Sequence, residues 1–142
     1  MHSKVPSLDL GGDGDLLFFA HANGYPPLAY RALLEPLTAS HHVVAGLHRP
    51  LWPEAEPPTT LKSWDVFGED VVAALGQLNK PAICMGHSMG SAALVMAAVN
   101  SQLPIKGLIL IEPVLMTPAY YRMLRMFKWL ARRRVPLIRR TL

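Results

Sequence analysis

Apolar residues along this chain gather in four short unbroken blocks, and the stretches between them carry apolar positions at helical spacing. Asp15–Ala20 (DLLFFA), His42–Leu47 (HVVAGL), Ala82–Met85 (AICM) and Gly107–Ile111 (GLILI) are the blocks. Each has a strand's length and lacks polar–apolar alternation, as strands do when both faces of their sheet are covered. Ala29–Leu37 (AYRALLEPL) has helical spacing, with Pro36 at its last turn or at a kink. Val66, Phe67, Asp70, Val71, Ala74 and Leu78 recur at helical steps behind Ser63. That serine can cap a helix running to about Asn79. Ser88–Asn100 is a small-residue, apolar helix. Strand and helix therefore alternate four times, which predicts the α/β class: a doubly wound, mostly parallel sheet joined by right-handed crossovers. Beyond Glu112 the pattern changes. Ala119–Arg134 is expected to form one basic amphipathic helix, apolar at Tyr120, Met123, Leu124, Phe127 and Leu130.

Composition sharpens this picture in two ways. The chain of 142 residues suits one ordinary domain, and at 51% hydrophobic and 17% charged it is more apolar than an average domain. The surplus points to a large buried sheet or to an apolar surface that meets a partner. The net charge of +4 also hides a division. Up to Glu112 there are six basic and ten acidic side chains, and after it eight basic ones and no acid. The shift sets an expected boundary near Pro113. No run approaches the roughly 18 apolar residues of a membrane span, and the polar, Gly/Asp-rich first fifteen residues do not resemble a signal peptide. A single cysteine, Cys84, excludes an internal disulfide and makes the cytoplasm the expected compartment.

Gly86-His87-Ser88-Met89-Gly90 carries the chemistry. It matches G-x-S-x-G, the turn that holds a serine nucleophile between a strand and a helix so that its hydroxyl projects above the sheet. The strand AICM runs into it and the helix SAALVMAAV leaves it. Glycine is required on either side because a Cβ there would collide with the neighbouring strand or helix. The amide of Met89, at the helix N-terminus, is placed to stabilise a developing oxyanion. The bland alternative is a Gly-rich turn with a helix-capping serine. A second donor must face the nucleophile, and in this kind of site it comes from a loop at a strand end. His21-Ala22-Asn23-Gly24 is such a loop, with Asn23 best placed to donate and His21 stiffening the loop through its ring nitrogens. Its alternative is a plain Asn-Gly turn.

FFAHANGYPPLAYRALLEPL, the strand into GHSMG, and GLILIEPV together resemble the α/β-hydrolase superfamily, in particular its haloperoxidase-like and esterase-like bacterial branch. The similarity runs from about Asp15 to Pro113. It implies an α/β-hydrolase core over residues 1–113 and the start of a helical cap over 114–142. It also implies Ser88 as nucleophile and the Asn23 and Met89 amides as the oxyanion hole. Three departures stand against it. The turn after the second block reads His48-Arg49-Pro50-Leu51-Trp52-Pro53 in place of an Arg-Gly-x-Gly-x-Ser-like sequence, and suggests a stiff apolar wall near the pocket. The fold orders its triad as serine, acid, histidine, yet no histidine follows Ser88. The last two strands of the usual sheet are missing as well, so the chain reads as an N-terminal half. Glu112, at the end of the fourth block, is a candidate triad acid; the alternative is a polar residue at a strand end.

The expected function is hydrolysis of an ester-like bond in a small, apolar molecule by a serine mechanism that needs no cofactor, with these residues alone inactive or nearly so. The competing expectation is a non-catalytic chain that associates with a partner or membrane surface through an exposed sheet edge and the basic helix. Other chemistry is poorly supported. His41 and His42 lack metal-ligand partners, no phosphate loop is present, and the basic tail has no nucleic-acid module beside it. Cys84 reads as a buried apolar residue and His87 as packing beside the elbow.

Overall fold

The computed structural model describes residues 4–55 and 63–115, together with 117, 119, 122, 123 and 126. Its centre is a five-stranded sheet: β1 (Ser7–Gly11), β2 (Asp15–Ala20), β3 (His41–Gly46), β4 (Ala82–His87) and β5 (Ile105–Ile111). The spatial order is β1-β3-β2-β4-β5. β2, β3, β4 and β5 run parallel, and β1 lies antiparallel on the outer side of β3. The four predicted strands are all present, two of them longer than their apolar blocks.

β1 is an addition to the sequence reading. Its SLDLG alternation turns Leu8 and Leu10 toward one core cluster and leaves Asp9 outside. There Asp9 accepts hydrogen bonds from the Gly11 amide at 2.8 Å and from His42 Nε2 at 3.0 Å. A half-buried edge strand needs only two apolar residues, which is too weak a signal to stand out beside a Gly/Asp turn.

α1 (Arg31–Leu34) is a single α turn between two 3₁₀ turns, Pro27–Tyr30 and Glu35–Ala39. The expected helix is therefore present in position but broken in form, because Pro27 and Pro36 each open a 3₁₀ segment. α2 (Asp65–Leu78) and α3 (Met89–Asn100) follow the predicted positions. Ser63 accepts the amide of Asp65 at 3.2 Å, and Asn79 ends α2 in the left-handed conformation.

The strands divide their side chains between two layers. Leu16, Phe18, Val44, Cys84 and Ala82 meet Phe67, Val71, Ala74 and Leu75 of α2 and Ala93, Leu94 and Ala97 of α3. Leu17, Phe19, Val43, Ala45 and Met85 meet Leu34 and its neighbours on the opposite face. β2 is thus buried on both faces, as its unbroken run of apolar residues requires. β5 departs from that expectation. Its Leu108 and Ile109, successive residues on opposite faces, are 38% and 43% exposed, and β5 is an edge among the described residues. The basic helix expected over 119–134 lies largely outside the described residues, including Tyr120, Leu124, Phe127, Leu130 and the arginines from 125 on. Ala119, Arg122, Met123 and Met126 are helical, and Met123 and Met126 are exposed. Among the described residues no helix is long and apolar enough to cross a membrane.

Candidate active site

The parallel strands point their C-terminal ends at one region, where β4 turns into α3 through Ser88. The Ser88 backbone has φ 52° and ψ −114°, a conformation that L-residues avoid. It is half-buried, and its hydroxyl makes no capping bond to α3, so the capping alternative does not describe this serine. The flanking glycines show why the turn needs them. A Cβ on Gly86 would lie 2.7 Å from the Ser91 amide and 2.8 Å from Leu94 Cδ1. One on Gly90 would overlap the carbonyl oxygen of Ala20 and sit 2.7 Å from that of His21. The N-terminus of α3 therefore rests directly on the end of β2, where the loop His21–Gly24 begins.

That loop is a tight turn. Tyr25 N–H donates to the Ala22 carbonyl at 3.2 Å, with Gly24 at φ 77° in the position where such turns take glycine. Asn23 is exposed at the turn, and among the described residues no hydrogen bond of its amide is recorded. Met89 is buried, and as the first residue of α3 its N–H has no acceptor within the helix. The fold thus brings the loop of Asn23 against the elbow of Ser88 and Met89. Glu112 is also close: Ser88 N–H donates to the Ile111 carbonyl at 2.9 Å and Val114 N–H approaches the Ser88 carbonyl at 3.4 Å. Glu112 itself has φ 44°, is 86% exposed, and points its carboxylate at His87 Nε2 from 3.7 Å. A second strained non-glycine backbone thus lies beside the first.

Three side chains that the sequence reading assigned no site role hold this region together. Ser91, fully buried, donates to the Gly86 carbonyl at 2.6 Å and lies 3.2 Å from that of Ile111, clamping elbow to β5. Tyr30 Oη accepts the Ala22 amide at 3.2 Å and lies 2.8 Å from His87 Nδ1. His48 Nε2 is buried without a hydrogen-bond partner among the described residues. Only Ser91 had a sequence signal, through its position directly after the motif; the others are recruited from distant segments.

His21 donates from Nδ1 to the Ala22 carbonyl at 2.7 Å and accepts the His48 amide on Nε2 at 3.1 Å. Both ring nitrogens are occupied, and burial holds its pKa below the ordinary histidine range. His48 packs on it at 4.5 Å between ring centroids, and on Phe67 at 5.5 Å. Burial, and next the His21 ring, push the His48 pKa down to about 3. Its folded value lies below its unfolded one of 6.5, so the stabilisation it carries is complete above pH 6.5 and is lost as pH falls from there toward 3. At pH 5 the loss is expected to be about 2 kcal/mol. Urea midpoints measured from pH 7 to 4 should show this slope flattened in His48→Phe; equal slopes in both proteins would refute it.

The turn after β3 packs on the helical layer. Trp52 donates from Nε1 to the Leu47 carbonyl at 2.8 Å and packs against the layer of α2 and α3. It borders a groove of about 600 Å³ with Arg49, Met96 and Asn100, and that groove includes no residue of 21–24 or 86–90. Trp52 thus faces the helical layer. Arg49 Nε donates to both Asp70 oxygens, at 3.0 and 2.8 Å. Burial still raises the Asp70 pKa, with Arg49 opposing it. The Cys84 thiol is fully buried and pushed up to about 12, which makes it a poor nucleophile. Among the described residues no cluster of three or more metal-ligating side chains occurs.

The model of the Alpha/beta hydrolase family matches residues 17–142. Among solved structures, the fold is similar to a hydrolase from Pseudomonas aeruginosa at 24% identity and a TM-score of 0.70, over 87% of this chain and 48% of that one. It is similar to the N-formylmaleamic acid deformylase Nfo of Pseudomonas putida at 22% identity and 0.68, over 92% and 53%. It is also similar to MenH from S. aureus at 19% identity and 0.70, over 88% and 48%. The chain spans about half the length of these structures. No curated protein matches the sequence. The strand order, the crossovers and the family match agree, and the chain belongs to the alpha/beta hydrolase family.

Proposed function

We propose that this chain carries the nucleophile and oxyanion hole of a serine hydrolase acting on an ester-like bond of a small apolar molecule. The observation that supports it above all others is the Ser88 backbone, at φ 52° between a parallel strand and a helix. Strain of that kind persists only where the surroundings impose it. In this reading Ser88 Oγ attacks the carbonyl carbon, its proton passes to a histidine base, and the carbonyl oxygen gains negative charge facing the Asn23 and Met89 amides. The base is assigned to none of the six histidines, since all precede Ser88 and His21 has both nitrogens engaged. Glu112 is kept as a candidate acid for orienting that base, and residues 114–142 as the start of a cap. A deformylase among the structural neighbours makes acyl chemistry a reasonable class.

The exposed Leu108 and Ile109 support a second reading, association through the β5 edge. The two separate in one experiment. Hydrolysis of p-nitrophenyl acetate and butyrate is expected to be saturable and slow, and to fall to the buffer rate in Ser88→Ala. A wild-type chain no faster than Ser88→Ala, with imidazole supplied as the base, overturns the catalytic reading; association through β5 is indifferent to that substitution.

A further inference from the structure

We propose that Tyr30 is a positioning residue, whose hydroxyl ties the loop bearing one oxyanion donor to the elbow bearing the other. The inference rests on the hydrolase reading above. Tyr30 closes the 3₁₀ turn Pro27–Tyr30, and its ring packs 4.7 Å from that of the fully buried Phe19. The hydroxyl accepts the Ala22 amide at 3.2 Å and reaches His87 Nδ1 at 2.8 Å. A hydroxyl that accepts from Ala22 has its own proton for Nδ1, which leaves the His87 proton on Nε2, facing Glu112 at 3.7 Å. The bridge thus crosses the ends of β2, β4 and β5 around Ser88.

Its reach to the chemistry is one residue on the loop side and two on the elbow side. Ala22 is buried, and its carbonyl already holds the His21 ring and the Tyr25 amide. With the Ala22 N–H held by Tyr30, both peptide planes that meet at Ala22 are anchored, and the second of them carries the Asn23 amide. On the elbow side the link is through the His87 ring, two residues before the Met89 amide. Two donors serve one oxyanion only if both lie about 2.7–3.1 Å from it, so slack in either peptide weakens catalysis without altering substrate binding.

Tyr30→Phe keeps the ring on Phe19 and removes the hydroxyl. The Ala22 amide, followed by hydrogen exchange in NMR, is expected to exchange at least about tenfold faster. kcat for p-nitrophenyl butyrate is expected to fall roughly tenfold at unchanged KM. His87→Asn, which keeps an acceptor near the Nδ1 position, should retain most of that turnover, whereas His87→Leu should match Tyr30→Phe. Unchanged Ala22 exchange overturns the bridge. Faster exchange with unchanged kcat, or a rise in KM alone, overturns the positioning role. With imidazole supplied as the base, wild-type turnover equal to that of Ser88→Ala overturns the hydrolase reading and the positioning role with it, and the exchange data then report on the bridge separately.

Discussion

Ser88→Gly is expected to end ester hydrolysis and, in the same protein, to raise the stability of the fold by about 1 kcal/mol. The two effects have one origin. The Ser88 backbone at φ 52° and ψ −114° suits glycine and strains any residue with a Cβ. Relief of such strain is worth about 1–3 kcal/mol. Against it stands the extra freedom glycine brings to the unfolded chain, roughly 0.5–1 kcal/mol. The hydroxyl makes no capping bond whose loss would enter the sum. Ser88→Ala is the control: it removes the nucleophile but retains the Cβ, so it should lose activity with no comparable gain. Urea unfolding of the three proteins decides the matter. A Ser88→Gly midpoint at or below that of Ser88→Ala would mean the turn is not strained, and the argument for an activated serine would lose its support.

Gly90→Ala is expected to destabilise the fold by about 3 kcal/mol or more. The added carbon would enter the carbonyl of Ala20 and crowd that of His21, both backbone atoms of a strand end with no rotamer to escape into. Relief would require α3 to lift from β2, which would also part Met89 from the loop of Asn23. Gly76→Ala should have the opposite sign. Gly76 is exposed in α2 with nothing within 4 Å of a Cβ, so alanine there should add roughly 0.5–1 kcal/mol through helix propensity. Thermal melts of both variants test this. A Gly90→Ala protein that melts with the wild type would refute the close seating of helix on strand.

The amino-acid sequence by itself determined the class of fold and the position of the elbow. Period decides class: four apolar blocks without alternation demand a sheet covered on both faces, and the helical spacing between them supplies the covers. Residue type decides the elbow, since Gly86 and Gly90 are readable as positions where a Cβ has no room. β1 was not legible because an edge strand buries one face and needs few apolar residues. That Trp52 packs on the layer of α2 and α3 was not legible because sequence order does not say on which side of a sheet a loop comes to rest. Only tertiary structure decided that Tyr30, Ala22 and His87 meet, that His21 spends both ring nitrogens on backbone, and that the His48 Nε2 is buried with no partner among the described residues. A hydrogen bond depends on angles and on tenths of an ångström between segments distant in the chain, whereas burial depends on a period that each segment carries within itself.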